Sequence, residues 1–97
     1  MDLRLSPAAQ SDISDIWEFT VERWGEDQAI RYTSRIRDTL LDLVAGRRSS
    51  RAADDIVPGY RTCIIGSHIA YFRIDADDLI VIRILHQSMD PLTQLRP

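Results

Sequence analysis

From Leu79 to Leu85 the chain is aliphatic on every position except one, Arg83. A run that is apolar on both faces predicts a strand covered on both sides or flanked by other strands. Period-two alternation puts Leu79, Val81, Arg83 and Leu85 on one face and Ile80, Ile82, Ile84 and His86 on the other. Arg83 then needs a partner or a route to water, because an unpaired cation is costly in an apolar setting. Two earlier stretches read as its neighbours: Tyr60 to Ile65, and His68 to Ile74 with His68, Ala70, Phe72 and Ile74 on one face. Gly66-Ser67 between them is a two-residue hairpin turn, and Asp75 to Asp78 turns the chain again into the terminal strand.

The first 46 residues carry a different period. Leu3 and Leu5 alternate with polar neighbours and suggest a short strand, after which Ser6 and Pro7 supply an N-cap and a first-turn proline. Ala9, Ile13, Ile16, Trp17, Thr20, Val21 and Trp24 recur at spacings of three and four, so both tryptophans fall in phase with the core stripe of a helix. Gly25 closes that helix by a left-handed turn. A second helix begins at Glu26 or Asp27, where acids suit the positive end of the helix dipole, and runs with Ala29, Tyr32, Ile36, Leu40, Leu43 and Val44 inward to Gly46. Matched lengths and a minimal connection predict an antiparallel pair. Residues 47–59 lack any sustained period and read as a surface loop, possessing at most one helical turn, that ends at Pro58-Gly59. The pattern is β-α-α-β-β-β, an α+β fold with a helical hairpin on one face of a small, mostly antiparallel sheet. Residues 1–97 are expected to form one domain.

Composition removes several classes of function. The formal net charge of −3 speaks against a protein that grips a bare nucleic-acid backbone. Residues 1–46 hold five arginines against nine acids, whereas residues 47–97 hold seven arginines against six acids. All 12 basic residues are arginine, so lysine chemistry is excluded. Cys63 is the only cysteine, and with just His68 and His86 beside it there is no zinc-ligand spacing; no metal and no cofactor are expected. No apolar run approaches the ~20 residues of a membrane span. Met1 to Pro7 lacks the basic and apolar stretches of a signal peptide, so the expected location is the cytoplasm.

The individual polar residues admit two readings each. Arg83 is either held by an acid across the sheet or free for binding, and Arg73 can pair with an acid in the neighbouring turn. His86 either caps the strand end through a backbone hydrogen bond or moves protons. Tyr32 and Tyr71 are core anchors or contact residues. Met89-Asp90-Pro91 turns the chain out of the sheet, with Asp90 capping its own backbone. The cluster Arg47, Arg48, Ser49, Ser50 and Arg51 is a solvated loop or a contact with protein or DNA phosphate.

Taken in order, Trp24-Gly25 followed by Gln28-Ala29 and Tyr32, Pro58 to Arg61, His68 to Arg73, and Arg83 to His86 with Met89-Asp90 resemble the ParE branch of the RelE/ParE toxin superfamily. The resemblance covers nearly the whole chain. It implies the toxin of a bacterial type II toxin–antitoxin module, neutralised by a ParD-like antitoxin and acting on DNA gyrase by binding, with DNA met only through gyrase or antitoxin. The alternative within the superfamily is a RelE-like, ribosome-dependent mRNA endoribonuclease. That chemistry needs a base, an acid and a charge stabiliser, and Arg61, Arg73, Arg83 and His86 are the only parts available. Arginine stays protonated, leaving His86 as the one group of that set that titrates near neutrality. Arg61, Arg73, Arg83, His86, Met89 and Asp90 are therefore the expected contacts to target or partner, with no catalytic residue expected.

Overall fold

The computed structural model describes residues 1–95. Its elements are β1 (Asp2–Leu5), α1 (Pro7–Trp24), α2 (Glu26–Val44), β2 (Arg51–Ala52), β3 (Arg61–Ile65), β4 (His68–Asp75), β5 (Asp78–His86) and α3 (Pro91–Leu95). The strands form one five-stranded sheet in the order β1-β5-β4-β3-β2, antiparallel except for β1 against β5. The α+β layering read from the sequence is what the chain adopts. Two elements were hidden: Arg51–Ala52 pairs with β3 inside the stretch read as loop, and α3 follows Asp90. A two-residue strand and a five-residue helix are too short to carry a period.

Both long helices have local causes. Ser6 Oγ accepts the N–H of Ala9 at 3.0 Å and Pro7 fills the first turn, which starts α1. Gly25 ends α1 and begins α2 at φ 91° and ψ 170°, a region essentially reserved for glycine, and not the left-handed helical turn expected. Ala29, Ile36, Leu40 and Leu43 from α2, with Ala9 and Ile16 from α1, pack on Cys63, Ile65, Ala70, Phe72, Leu79, Val81 and Ile84 of the sheet. Each fully buried large side chain there contributes roughly 1.5–3 kcal/mol.

The sheet departs from simple alternation at one place. Phe72 pairs with Val81, but Tyr71 pairs with Arg83, so Ile82 is an extra residue that bulges β5. Val81 and Ile84 consequently both enter the core, although strict alternation assigns them to opposite faces. Arg83, opposite Tyr71, shares no face with Leu79 and Val81, which corrects the period-two assignment.

The bulge is held by the start of α1. β1 pairs with β5 only as far as Val81, leaving the rest of that β5 edge without a strand. Ser6 N–H donates to Val81 O at 2.9 Å and Ser6 Oγ donates to Ile82 O at 2.6 Å. Asp12, one and a half turns into α1, then accepts the Ile84 N–H at 2.8 Å and both Nε and Nη2 of Arg83 at 2.8 and 2.9 Å. Arg83 thus finds its acid on the helix and not across the sheet. The Asp12 side chain is only 11% exposed and that of Arg83 24%. Removing one partner of so enclosed a pair strands both the other charge and a backbone donor. Asp12→Ala is expected to destabilise the fold by about 2–3 kcal/mol, read as a lower urea midpoint at unchanged m-value; a loss below half a kilocalorie would show that the bulge holds itself.

Candidate functional site

The structure does not gather the residues singled out from the sequence. Arg61 is half-buried and donates from Nε to Ser50 Oγ at 2.7 Å and from Nη2 to Ser50 O at 2.9 Å. Arg73 meets Asp75 at 3.2 Å in an exposed pair of the kind that contributes little. Arg83 is committed to Asp12, whose hydrogen bonds raise its already high pKa and keep it charged. His86 Nδ1 accepts the Ser88 N–H at 3.1 Å and lies 2.7 Å from Ser88 Oγ, the strand-end cap that was one of its two readings. Asp90 caps α3 through Leu92 N–H and Thr93 Oγ, while Met89 is exposed. Since His86 stands opposite His68, and Arg61 opposite Phe72, the ladder puts Arg61 and Arg73 about 14 and 17 Å along the sheet from His86.

A groove between the second half of α1, the start of α2 and the end of β5 takes in two of these residues, His86 and Met89. Its volume is about 590 Å³, with Ile16, Phe19, Trp24 and Met89 as apolar lining and Asp12, Asp15, Tyr32, His68 and His86 among its polar groups. Trp24 is 69% exposed and Phe19 58%. Trp24 was expected in the core because it continues the α1 stripe. At the C-terminal end of α1 it lines the groove instead.

His68 and Tyr32 tie this groove to the β3–β4 turn. The Tyr32 hydroxyl lies 3.1 Å from Ile65 O, 3.2 Å from Ser67 N and 2.6 Å from His68 Nδ1. It has one proton, the carbonyl can only accept and the amide can only donate. All three contacts are met when Tyr32 donates to Ile65 and His68 Nδ1–H donates to Tyr32. A Cβ on Gly66 would stand 2.8 Å from the Tyr32 ring, so glycine in the turn (φ 60°) serves the ring as well as the backbone. The His68 and His86 rings meet edge to face with centroids 5.3 Å apart. Burial, and then the neighbouring His86, lower the His68 pKa, with Asp12 opposing them. Burial raises the pKa of Tyr71, helped by the Asp90 charge, and burial likewise keeps Cys63 a thiol.

Asp12, Tyr32 and His68 are the residues whose placement the sequence concealed. Asp12 is one of nine acids in the first half of the chain. The histidine pair depends on the bulge: an uninterrupted ladder from Phe72–Val81 would have set His68 opposite Leu85. The arrangement offers an apolar, aromatic groove with a neutral imidazole in its wall, suited to holding a partner.

A sheet of this order under a helical hairpin, with paired arginines and an open aromatic groove, defines a small α+β domain. Comparison with known proteins is more specific. The profile of the family described as the ParE toxin of the type II toxin-antitoxin system, parDE, matches residues 3–91. Toxin ParE1 of Mycobacterium tuberculosis strain H37Rv is 44% identical over 87 residues, 89% of each chain. Toxin ParE1 of Caulobacter vibrioides is 34% identical over 92 residues, 95% of each chain. Among solved structures, the chromosomal ParDE TA system from P. aeruginosa superposes with a TM-score of 0.77 at 26% identity, covering 89% of this chain and 95% of that one. The chain belongs to the ParE toxin family, as a toxin of a type II toxin–antitoxin module.

The lowered pKa of His68 has a consequence for stability. A base whose folded pKa lies below its ordinary 6.5 contributes stability above that value and loses it as pH falls from 6.5 toward the folded pKa. The urea midpoint of the wild-type protein is expected to fall between pH 7 and pH 5.5 more steeply than that of His68→Gln. Parallel profiles would mean that His68 charges without penalty.

Proposed function

We propose that this toxin disables DNA gyrase by occupancy, without bond-making chemistry of its own, and that a ParD-like antitoxin neutralises it in the cytoplasm. The observation that carries this reading is the dispersal of the cations. Arg61, Arg73 and Arg83 each hold a different partner, and two of them lie more than 10 Å along the sheet from His86. Ribonuclease chemistry calls for a proton-transfer group and a charge stabiliser converging on one phosphate. Membership of the ParE family, and the description of the P. aeruginosa structure as a ParDE system, support the choice of antitoxin type.

Poisoning by occupancy needs only that the toxin bind one state of the gyrase–DNA complex, the one with cleaved DNA, better than the others. Grip then matters more than reactivity. Arg61, Arg73, Arg83, His86, Met89 and Asp90 remain the proposed contacts. The segment from Met89 through α3 is suited to reach a target, since it projects past the last strand and leaves Met89 and Leu92 exposed. With a net charge of −3, contact with DNA comes through gyrase or through the antitoxin.

Purified toxin added to gyrase and relaxed plasmid is expected to stop supercoiling and accumulate linear, gyrase-linked DNA, while ribosomes programmed with mRNA show no cleavage. Truncation after Met89 is expected to reduce gyrase inhibition more than antitoxin binding. Unimpaired supercoiling at saturating toxin would defeat the proposal. Transcript cleavage that is lost in His86→Ala would instead establish the RelE-like activity.

A further inference from the structure

We propose that the outer edge of β1 is a pairing surface for a second copy of this chain, joined antiparallel about Leu3. β1 ends the sheet and pairs only with β5. In that parallel ladder Asp2 N–H donates to Asp77 O at 3.0 Å, and Ser6 N–H just beyond the strand donates to Val81 O at 2.9 Å. Backbone groups alternate along a strand, so Asp2 and Arg4 turn theirs toward β5, and Leu3 and Leu5 turn theirs outward. Gln10 Nε2 bonds Leu5 O at 3.2 Å, as suits a carbonyl outside the ladder. The N–H and C=O of Leu3 have no partner among the described residues.

The charges along β1 fit a copy of β1. Asp2 stands directly opposite Asp78, and Asp78 directly opposite Asp75, so three carboxylates lie side by side across the sheet. Arg4 reaches Asp78 at 2.9 Å and Arg73 reaches Asp75 at 3.2 Å, which leaves Asp2 without a cation among the described residues. Like charges directly opposite destabilise a sheet. When a second β1 is laid antiparallel with Leu3 against Leu3, the two leucines exchange both of their outward backbone bonds, and each Asp2 falls opposite Arg4 of the other copy. Arg4 uses Nε for Asp78, and its two Nη groups remain for that second carboxylate. Exposed charges commonly protect an edge strand. Charges of opposite sign on either side of a central leucine instead attract the same strand.

The apolar positions agree with this register. Met1, which is 55% exposed, comes opposite Leu5 of the other copy, beside the two Leu3 side chains. Leu3 and Leu5 already pack against the core from its margin, so the row would extend that core across the dyad. A strand of four residues covers less than the roughly 1,200 Å² of a standard stable interface, so the association is weak and concentration-dependent. None of residues 1–5 lines the aromatic groove, and a paired molecule would carry two grooves open at once. The pairing does not rest on the gyrase reading.

The test is sedimentation equilibrium of the whole chain from about 10 μM to 1 mM. The expected mass rises with concentration from 11.1 kDa toward twice that value, and the rise is smaller in high salt. Asp2→Arg, which sets arginine against arginine across the dyad, should weaken the dimer by about tenfold or more. Arg4→Asp should do the same by setting acid against acid, while an equimolar mixture of the two variants should pair as well as the wild-type chain. Leu3→Pro removes only an outward N–H, a substitution an edge strand tolerates, and should also abolish pairing; it carries the test with Asp2→Arg if Arg4→Asp fails to fold. A wild-type chain that stays at 11.1 kDa throughout would overturn the proposal. So would a dimer of equal affinity in Asp2→Arg and Leu3→Pro, which would lie on another surface, or a mixture of folded charge variants that does not pair.

Discussion

Asp12 is the point on which the geometry of the sheet turns. One carboxylate accepts two guanidinium N–H groups and a backbone N–H, on an edge of β5 that β1 leaves uncovered. With Ser6 bonded to Val81 O and Ile82 O, the first two turns of α1 take the place of the strand that is missing there. An open edge with a bulged, unpaired carbonyl would otherwise be an invitation to non-native pairing. The bulge is therefore bonded into the structure, and everything beyond it on β5 is displaced by one residue.

That displacement arranges the groove end of the molecule. It delivers Ile84 to the core, turns Arg83 to the acid on α1 and sets His86 against His68. The same displacement commits the charge of Arg83 to Asp12 while leaving its side chain 24% exposed. What lies open is aromatic: Phe19 and Trp24 on α1, with Met89 across the groove. Surface of this kind is suited to docking, where large apolar anchors beside a few polar groups carry most of the affinity.

The family and the geometry bear on different parts of the functional reading. Membership in the ParE toxins rests on matches across almost the whole chain. Dispersed arginines and an aromatic groove are what support the proposed action by binding. The chain holds two histidines and no lysine.

The sequence by itself determined the elements that rest on local rules. The α1 stripe, the Ser6-Pro7 start, the Gly25 corner, the α2 stripe and the Gly66-Ser67 hairpin are all decided by neighbours within a turn or two, so they were legible. The family likeness was legible for the same reason, as it lives in short stretches in a given order. Trp24 was misjudged because a helical period says which face a residue occupies and nothing about whether another element covers it there. Only the tertiary structure decided the bulge at Ile82, the union of Arg83 with Asp12 across 71 residues, and the meeting of His68 with His86. A bulge inserts one residue without any mark in a run of interchangeable aliphatics, and its stability comes from hydrogen bonds with a helix that precedes it by some 70 positions. Contacts of that range have no sequence period, so the partners of a charge and of an imidazole become known only when the chain has closed.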